Sequence, residues 1–491
     1  DLHRHFVDEL ILCSDSGEPM YREQDLIDVW FDSGSMPYAQ WHYPFENKNL
    51  IESGRFFPAN FIAEGVDQTR GWFYTLHAIS TFAFDSVAYK NVVSNGLVLD
   101  KNGQKMSKRL GNGIDPFETL EKFGADATRW YMITNAQPWD NLKFDLEGIN
   151  EVKRKFFGTL HNTYSFFCLY ANLDNFDFNS TFIDVDLRPE IDRWIISKLN
   201  SLIIDVDKCY SNYEPTKAGR LIQEFTVDDL SNWYVRLCRK RFWKGEVNDD
   251  KLAAYQTLYT CLKTIALLSA PIAPFYSDLL YNDLIKSIDN DDASVHLADF
   301  PLVNKNDIDL LLEKKMGLGQ QITSLVLSLR KKEKLKVRQP LSKVLVPSNG
   351  KDFDTAISDV SSLVLSEVNV KELSVLNSDN NMLKKQAKPN FKTIGPKYGR
   401  HMKSIAKVIS SWSNEEISSF ENEKSVSFEL GGESIVLNAI DVEIITTDIP
   451  GWKIASSGDI TIALDVSISK ELKEEGLARD FVNKIQNIRK D

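Results

Sequence analysis

The spacing of apolar residues changes twice along this chain, and that change limits the possible folds more than any other feature. Up to about residue 150, short apolar runs (Phe61-Ile62-Ala63, Val92-Val93, Leu97-Val98-Leu99) alternate with Gly-, Pro- and Asn-containing breaks, and Trp72 to Phe84 reads as a helix. Strand, loop, helix and strand in that order is the pattern of an α/β nucleotide-binding unit, whose active loops lie at the carboxyl ends of the strands. From 151 to about 305 the period becomes helical. Ile191, Trp194, Ile195, Leu199, Leu202, Ile203 and Val206 recur at three- and four-residue spacing; Leu258, Leu262, Ile265 and Leu268 do the same until Pro271 and Pro274 interrupt. Long helices with short connections predict a bundle. Beyond 306, α/β alternation returns after one more helix (Ile322, Leu325, Leu329). Strands are predicted at 344–346, 368–376, 425–430, 434–446 and 459–466, with a helix at 361–365, Gly431-Gly432 as a turn, and a closing helix from Glu471 to Lys490. The expected fold is multidomain.

Composition agrees with that division. A chain of 491 residues with 43% hydrophobic and 26% charged residues is a soluble globular protein of several domains. No apolar run approaches the roughly 20 residues that span a bilayer, so no membrane partner is expected. The start, Asp1-Leu2-His3-Arg4-His5, has neither Met nor a signal segment and reads as a chain entered in mid-sequence. Five scattered cysteines (Cys13, Cys168, Cys209, Cys238, Cys261) with no CxxC pair point to reduced thiols in a cytoplasm and to no metal site. A net charge of −12 opposes wrapping of nucleic acid by the whole surface, but it leaves room for local basic patches.

The sharpest motif is Lys105-Met106-Ser107-Lys108-Arg109, between a Gly-containing turn and Leu110-Gly111-Asn112-Gly113. Two lysines flanking a hydroxyl on a Gly-rich loop suit the clamping of a polyphosphate; a solvated charged turn has the same composition. It is not a Walker A loop. Upstream lies Ala63-Glu64-Gly65-Val66-Asp67-Gln68-Thr69-Arg70-Gly71-Trp72-Phe73. Its carboxylates, amide and arginine can receive an ammonium, a ribose diol and a phosphate together, or they can be acids placed against a helix dipole. Trp30, in Asp28-Val29-Trp30-Phe31-Asp32-Ser33-Gly34-Ser35, joins Trp72 as a candidate pocket wall or as core.

Arg236, Arg239, Lys240, Arg241 and Lys244 sit among Trp233, Tyr234, Phe242 and Trp243 with no acid between 236 and 244. Such a helix face can hold phosphates and stack unpaired bases, or it can be the solvated side of a bundle helix. Further basic patches run from Arg330 to Lys343 (Arg330, Lys331, Lys332, Lys334, Lys336, Arg338, Lys343) and from Lys384 to Lys407 (Lys384, Lys385, Lys388, Lys392, Lys397, Arg400, Lys403, Lys407).

The lysine motif resembles the KMSKS signature of class I aminoacyl-tRNA synthetases, with Arg109 in place of the final serine. The 63–73 stretch resembles the G-x-D-Q-x-R-G-W-F element of the isoleucyl branch of that family. Ser231-Asn232-Trp233-Tyr234-Val235-Arg236 resembles its anticodon-binding helical domain, and 389–399 the C-terminal region of the isoleucyl enzymes of eukaryotic cytosol and some bacteria. The resemblance implies a Rossmann-like catalytic part, incomplete here, then an all-α anticodon-binding bundle and an α/β C-terminal region. The implied bounds are 1–25 for the return from an editing insertion, 26–150, 151–305 and 306–491.

By the resemblance, Lys105, Ser107 and Lys108 are catalytic, with Lys105 and Lys108 on ATP; Glu64, Gly65, Asp67 and Gln68 contact isoleucyl-adenylate; Trp30 and Trp72 wall the amino-acid pocket. Arg236, Arg239, Lys240, Arg241 and Trp243 would meet tRNA. Partners would be isoleucine, ATP with Mg2+ as substrate, and tRNA(Ile), in a cytoplasmic monomer. A pocket of this kind rejects a substrate lacking one methylene only weakly, the isoleucine–valine pair being the usual example. The family's H-x-G-H pair is not among the seven histidines (His3, His5, His42, His77, His161, His296, His401), so this stretch alone is expected not to form the adenylate. A valyl or leucyl sibling, a module that only binds tRNA, and an unrelated ATP-binding protein are the other readings.

Overall fold

The computed structural model describes residues 3–25, 28–177, 182–243, 245–285, 294–376, 385–446, 451–458 and 460–489. They belong to two compact units, Asp1–Asp307 and Ile308–Asp491.

In the first unit, helix α1 (Val29–Ala39) starts where the Asp28 carboxylate accepts the Trp30 N–H. Strand β1 (Ile62–Gly65), helix α2 (Trp72–Phe84) and strand β2 (Val92–Asn95) form a parallel crossover with Ile62 opposite Val92 and Gly65 opposite Asn95. The α2 helix coincides with the predicted one. Strand β3 (Val98–Leu99) follows at once. Helices α3 (Pro116–Phe123) and α4 (Ala125–Asn135) then lead to strand β4 (Leu142–Lys143), parallel to β3.

Among the described residues these strands make separate two-stranded sheets, not one continuous sheet. The break falls at Gly96, whose N–H turns to Pro138 O; a Cβ there would lie 2.2 Å from Asp140 O, so only glycine permits the approach.

The helical stretch is built from α5 (Gly158–Leu173), α6 (Glu190–Ser211), α7 (Pro215–Glu224), α8 (Arg236–Trp243), α9 (Asp249–Ser269) and α10 (Pro274–Ile285). The π-helical residues Phe225–Val235 carry α7 into α8 without a break. The apolar stripe read from sequence is the core: Trp194, Ile195, Leu199, Val206, Leu258 and Leu262 are buried. Each such side chain contributes about 1.5–3 kcal/mol on leaving water.

Helix α4 ties the α/β part to this bundle by mutual satisfaction of helix ends. The Asp126 carboxylate accepts the Tyr276 N–H at 2.5 Å, capping α10, and burial raises its pKa. Arg129 donates to Ile272 O at 2.9 Å beyond the end of α9. In return Thr216 donates to Ile133 O and Arg220 to Thr134 O at the end of α4.

In the second unit come α11 (Leu310–Lys332), β5 (Leu341–Pro347), α12 (Lys351–Val368), β6 (Val370–Leu376), β7 (Lys385–Pro389), α13 (Phe391–Tyr398), α14 (Met402–Ser410) and α15 (Asn414–Glu423). Strands β8 (Ser425–Leu430), β9 (Glu433–Asn438), β10 (Val442–Thr446), β11 (Trp452–Ser457) and β12 (Ile460–Asp465) precede the last helix, α16 (Lys470–Ile488). A mixed sheet in the order β11-β12-β5-β6 has parallel pairing only between β5 and β6. The segment 385–446 holds its own core of Ile394, Ile405, Ile409, Ile417, Ile435 and Leu437.

Helix α12 runs from 351 to 368 where the sequence predicts 361–365, helices α13, α14 and α15 have no counterpart in the sequence expectation, and three strands also differ. The 434–446 strand is split at Ala439–Asp441, where Asn438 and Asp441 cap each other and Lys397 pairs with Asp441. Strand β7 has no sequence signature, because Lys-Gln-Ala-Lys-Pro contains a single small apolar residue, the buried Ala387, and shows no apolar alternation. Strand β11 was missed for a related reason, since none of its residues is fully buried.

Candidate active site

Helices α1 and α2 pack closely because position 34 has no side chain: a Cβ on Gly34 would lie 2.6 Å from Ile79 Cδ1 and 3.0 Å from the Thr75 backbone. Gly34→Val is therefore expected to destabilise this unit by about 1–3 kcal/mol, read from urea unfolding. The contact brings the two candidate pocket tryptophans to one place. The Trp72 indole N–H donates to Ser33 O at 2.9 Å, and Trp30 Cη2 lies 3.3 Å from where a Cβ on Gly71 would sit. Trp72 is half-buried against the Ile62, Phe73 and Leu76 core, whereas Trp30 is 48% exposed.

The same Gly71 faces Gln68, whose side-chain oxygen would be 2.8 Å from a Cβ there and accepts the Trp72 N–H at 3.0 Å. Gln68 also donates to Asp67 at 3.3 Å. Gly65 lies close beside Asp67, whose carboxylate oxygen is 2.6 Å from where a Cβ at 65 would sit. Glu64 and Asp67 are exposed. Trp30, Gln68, Gly71 and Trp72 thus form one cluster at the carboxyl end of β1, with Gly65 and Asp67 beside it.

The lysine loop follows β3. Asp100 N–H donates to Gln104 O across a tight turn at Gly103 (φ +83), and Met106 packs into the core of Phe123, Tyr131 and Leu142. That anchor leaves Lys105 exposed, and among the described residues no ion pair or hydrogen bond engages its ammonium. Ser107 accepts the Leu110 N–H at 3.3 Å, while its own N–H goes to the Asn112 side chain at 2.9 Å. The side chain of Lys108 lies outside the described residues. Sequence reading missed Asp100 and Asn112, which brace this loop; the available signals were an Asp opening a Gly turn and an Asn between two glycines.

Helix α8 separates its basic residues. Arg236, Arg239, Lys240 and Trp243 are exposed, as the predicted face requires. Arg241 is placed otherwise: its guanidinium makes two 2.7 Å bonds to the fully buried Asp192 and further bonds to Asp250. Trp233, Tyr234 and Phe242 are buried, so of the expected aromatic border only Trp243 remains. Lys244 and Lys384 lie outside the described residues.

In the second unit Arg330 is 1% exposed and donates to Lys336 O, Gln339 O and Asn369 O, with burial pushing its pKa down to about 10. It leaves the second patch for the interior. Lys336 pairs with Asp480 and Lys343 with Glu372; Lys388, Lys392, Arg400, Lys403 and Lys407 are exposed.

Residues 1–145 match the family model of class I tRNA synthetases (I, L, M and V), and residues 192–345 match that of the anticodon-binding domain of tRNA ligase. The chain carries class I tRNA synthetase domains. It is 58% identical over 491 residues to an isoleucine--tRNA ligase of Bacteroides fragilis, covering 100% of this chain and 43% of the relative. It is 60% identical over 495 residues to that of Cytophaga hutchinsonii (100% and 44%) and 42% identical to that of Clostridium tetani (100% and 47%). The chain spans less than half the length of these relatives. A crystal structure of a LeuRS-tRNA-LeuAMS complex from Agrobacterium radiobacter K84 aligns over 60% of this chain and 35% of its own, at a TM-score of 0.47 and 20% identity, a likeness too weak to carry an argument. Among the described residues no helix is long and apolar enough to cross a membrane.

Proposed function

We propose that the whole protein joins isoleucine to tRNA(Ile), working as a monomer in the cytoplasm. An isoleucine carboxylate oxygen attacks the α-phosphorus of ATP, supplied with Mg2+, and the bond to the bridging oxygen breaks to release pyrophosphate. The terminal ribose hydroxyl of the tRNA then attacks the acyl carbon and AMP leaves. The observation that carries this reading is the meeting of Trp30, Gln68, Gly71 and Trp72 at the end of β1. Two indoles can enclose a branched aliphatic side chain with little loss of rotamer entropy, and Glu64, Gly65, Asp67 and Gln68 stand beside them for the ammonium and ribose.

Lys105 and Lys108 draw charge toward the departing pyrophosphate and Ser107 contacts it, so catalysis is positioning and charge stabilisation without a protein nucleophile. Residues 26–150 are the Rossmann-like catalytic half, 151–305 the anticodon-binding bundle, and 306–491 a tRNA-contacting region; residues 1–25 return from an editing domain. Arg236, Arg239, Lys240 and Trp243 meet the tRNA, with Arg241 holding their helix.

ATP–pyrophosphate exchange by the whole protein tests this. Isoleucine is expected to support exchange, with valine lower in kcat/KM by about a hundredfold. Preference for valine or leucine would assign a sibling specificity, and tRNA binding without exchange would leave a binding module.

A further inference from the structure

We infer that Asn112 and Asp100 are positioning residues that give the lysine loop its reactive shape, an inference that rests on the ATP-directed reading of that loop. Asp100 is 9% exposed. One of its oxygens accepts the N–H groups of Asn102 and Gln104 at 2.9 and 2.8 Å; the other accepts the Asn112 side-chain amide at 3.0 Å. The Asn112 oxygen in turn accepts the Ser107 N–H at 2.9 Å, and its nitrogen also reaches Lys105 O at 3.3 Å.

Asn112 therefore occupies the place a neighbouring strand would take, bonded to the carbonyl of one reactive residue and the N–H of another. Only a side chain with both a donor and an acceptor can join a carboxylate to an N–H. The Gln104 N–H and the Asn112 amide hold the Asp100 carboxyl below its usual pKa, so at neutral pH it is an acceptor only. A lysine on its flexible stem places charge well only if its backbone is fixed, and no ion pair among the described residues fixes the Lys105 side chain itself.

The test is a swap in the whole protein. Asn112→Asp sets two carboxylates against each other and is expected to lower kcat of isoleucine-dependent exchange about a hundredfold. KM for isoleucine should not move, because Trp30 and Trp72 are held by other contacts, and the melting temperature should stay within a few degrees. Asp100→Asn with Asn112→Asp restores a donor–acceptor pair: the amide now at 100 donates to the carboxylate at 112, which still accepts from Ser107. Recovery of kcat to within about tenfold of the parent is expected. Should Asn112→Asp fail to fold, Asn112→Ala, which offers neither donor nor acceptor, is read in its place, with the same kcat loss and unchanged KM for isoleucine. An active parent whose Asn112 variant keeps its kcat, or a swap no better than the worse single variant, overturns the inference. A parent without exchange overturns the functional reading beneath it.

Discussion

Replacing Arg241 with methionine is expected to destabilise the Asp1–Asp307 unit by about 3–5 kcal/mol, because it removes the only cation among the described residues shown bonded to the buried Asp192 carboxylate and leaves Arg188 to act on it through charge alone. Tyr234 donates to the same carboxylate at 2.7 Å, but one hydroxyl cannot neutralise a charge removed from water. The double replacement Asp192→Leu with Arg241→Met removes both charges and is expected to recover most of the loss. Arg239→Met and Lys240→Met, at exposed neighbouring positions, should change stability by no more than about 0.5 kcal/mol. Each should instead weaken tRNA binding and reduce its salt slope by roughly one unit. Urea unfolding and binding titrations at several salt concentrations separate the two classes. Arg241→Met as harmless as Lys240→Met would mean that the pair contributes little.

Lys105→Ala should produce the opposite profile. Lys105 is exposed and unpaired among the described residues, so stability is expected to hold within about 0.5 kcal/mol. On the proposed function, its removal takes a positive charge from the departing pyrophosphate and should lower kcat of exchange by about a hundred- to a thousandfold. KM for isoleucine should be nearly unchanged. Lys105→Arg is expected to recover only part of the rate, since a planar guanidinium is not a compact ammonium. A normal kcat in Lys105→Ala would remove the loop from the chemistry.

These expectations draw unequally on sequence and structure. The α2 helix and the α6 and α9 stripes were legible because their apolar residues fall on one helical face, buried by the α/β part for α2 and by the bundle for α6 and α9. Trp30 and Trp72 were legible as candidates, yet nothing local says that Gly34 lets α1 approach α2 and brings them together. Strand β7 and the split at Ala439–Asp441 were illegible for a different reason. Both depend on partners distant in the chain, β10 for the first and Lys397 for the second.

The lysine loop follows the same division. Its lysines and glycines announce a flexible, cationic turn, whereas the brace from Asp100 through Asn112 to Ser107 exists only once the turn has closed.

By itself, then, the sequence determined the order of an α/β part, a helical bundle and a second α/β region, together with the places where candidate site residues cluster. Periodicity and short motifs are local properties, and local spacing sets which face of an element is apolar. Only the tertiary structure decided which cations remain available. Arg241 and Arg239 are nearly adjacent in the chain, but the first meets Asp192 49 positions away while the second stays in solvent. Arg330 likewise turns its terminal nitrogens to carbonyls up to 39 positions distant. A charge is neutralised by whatever lies within a few ångströms of it, and for a buried group that neighbour is brought there by folding.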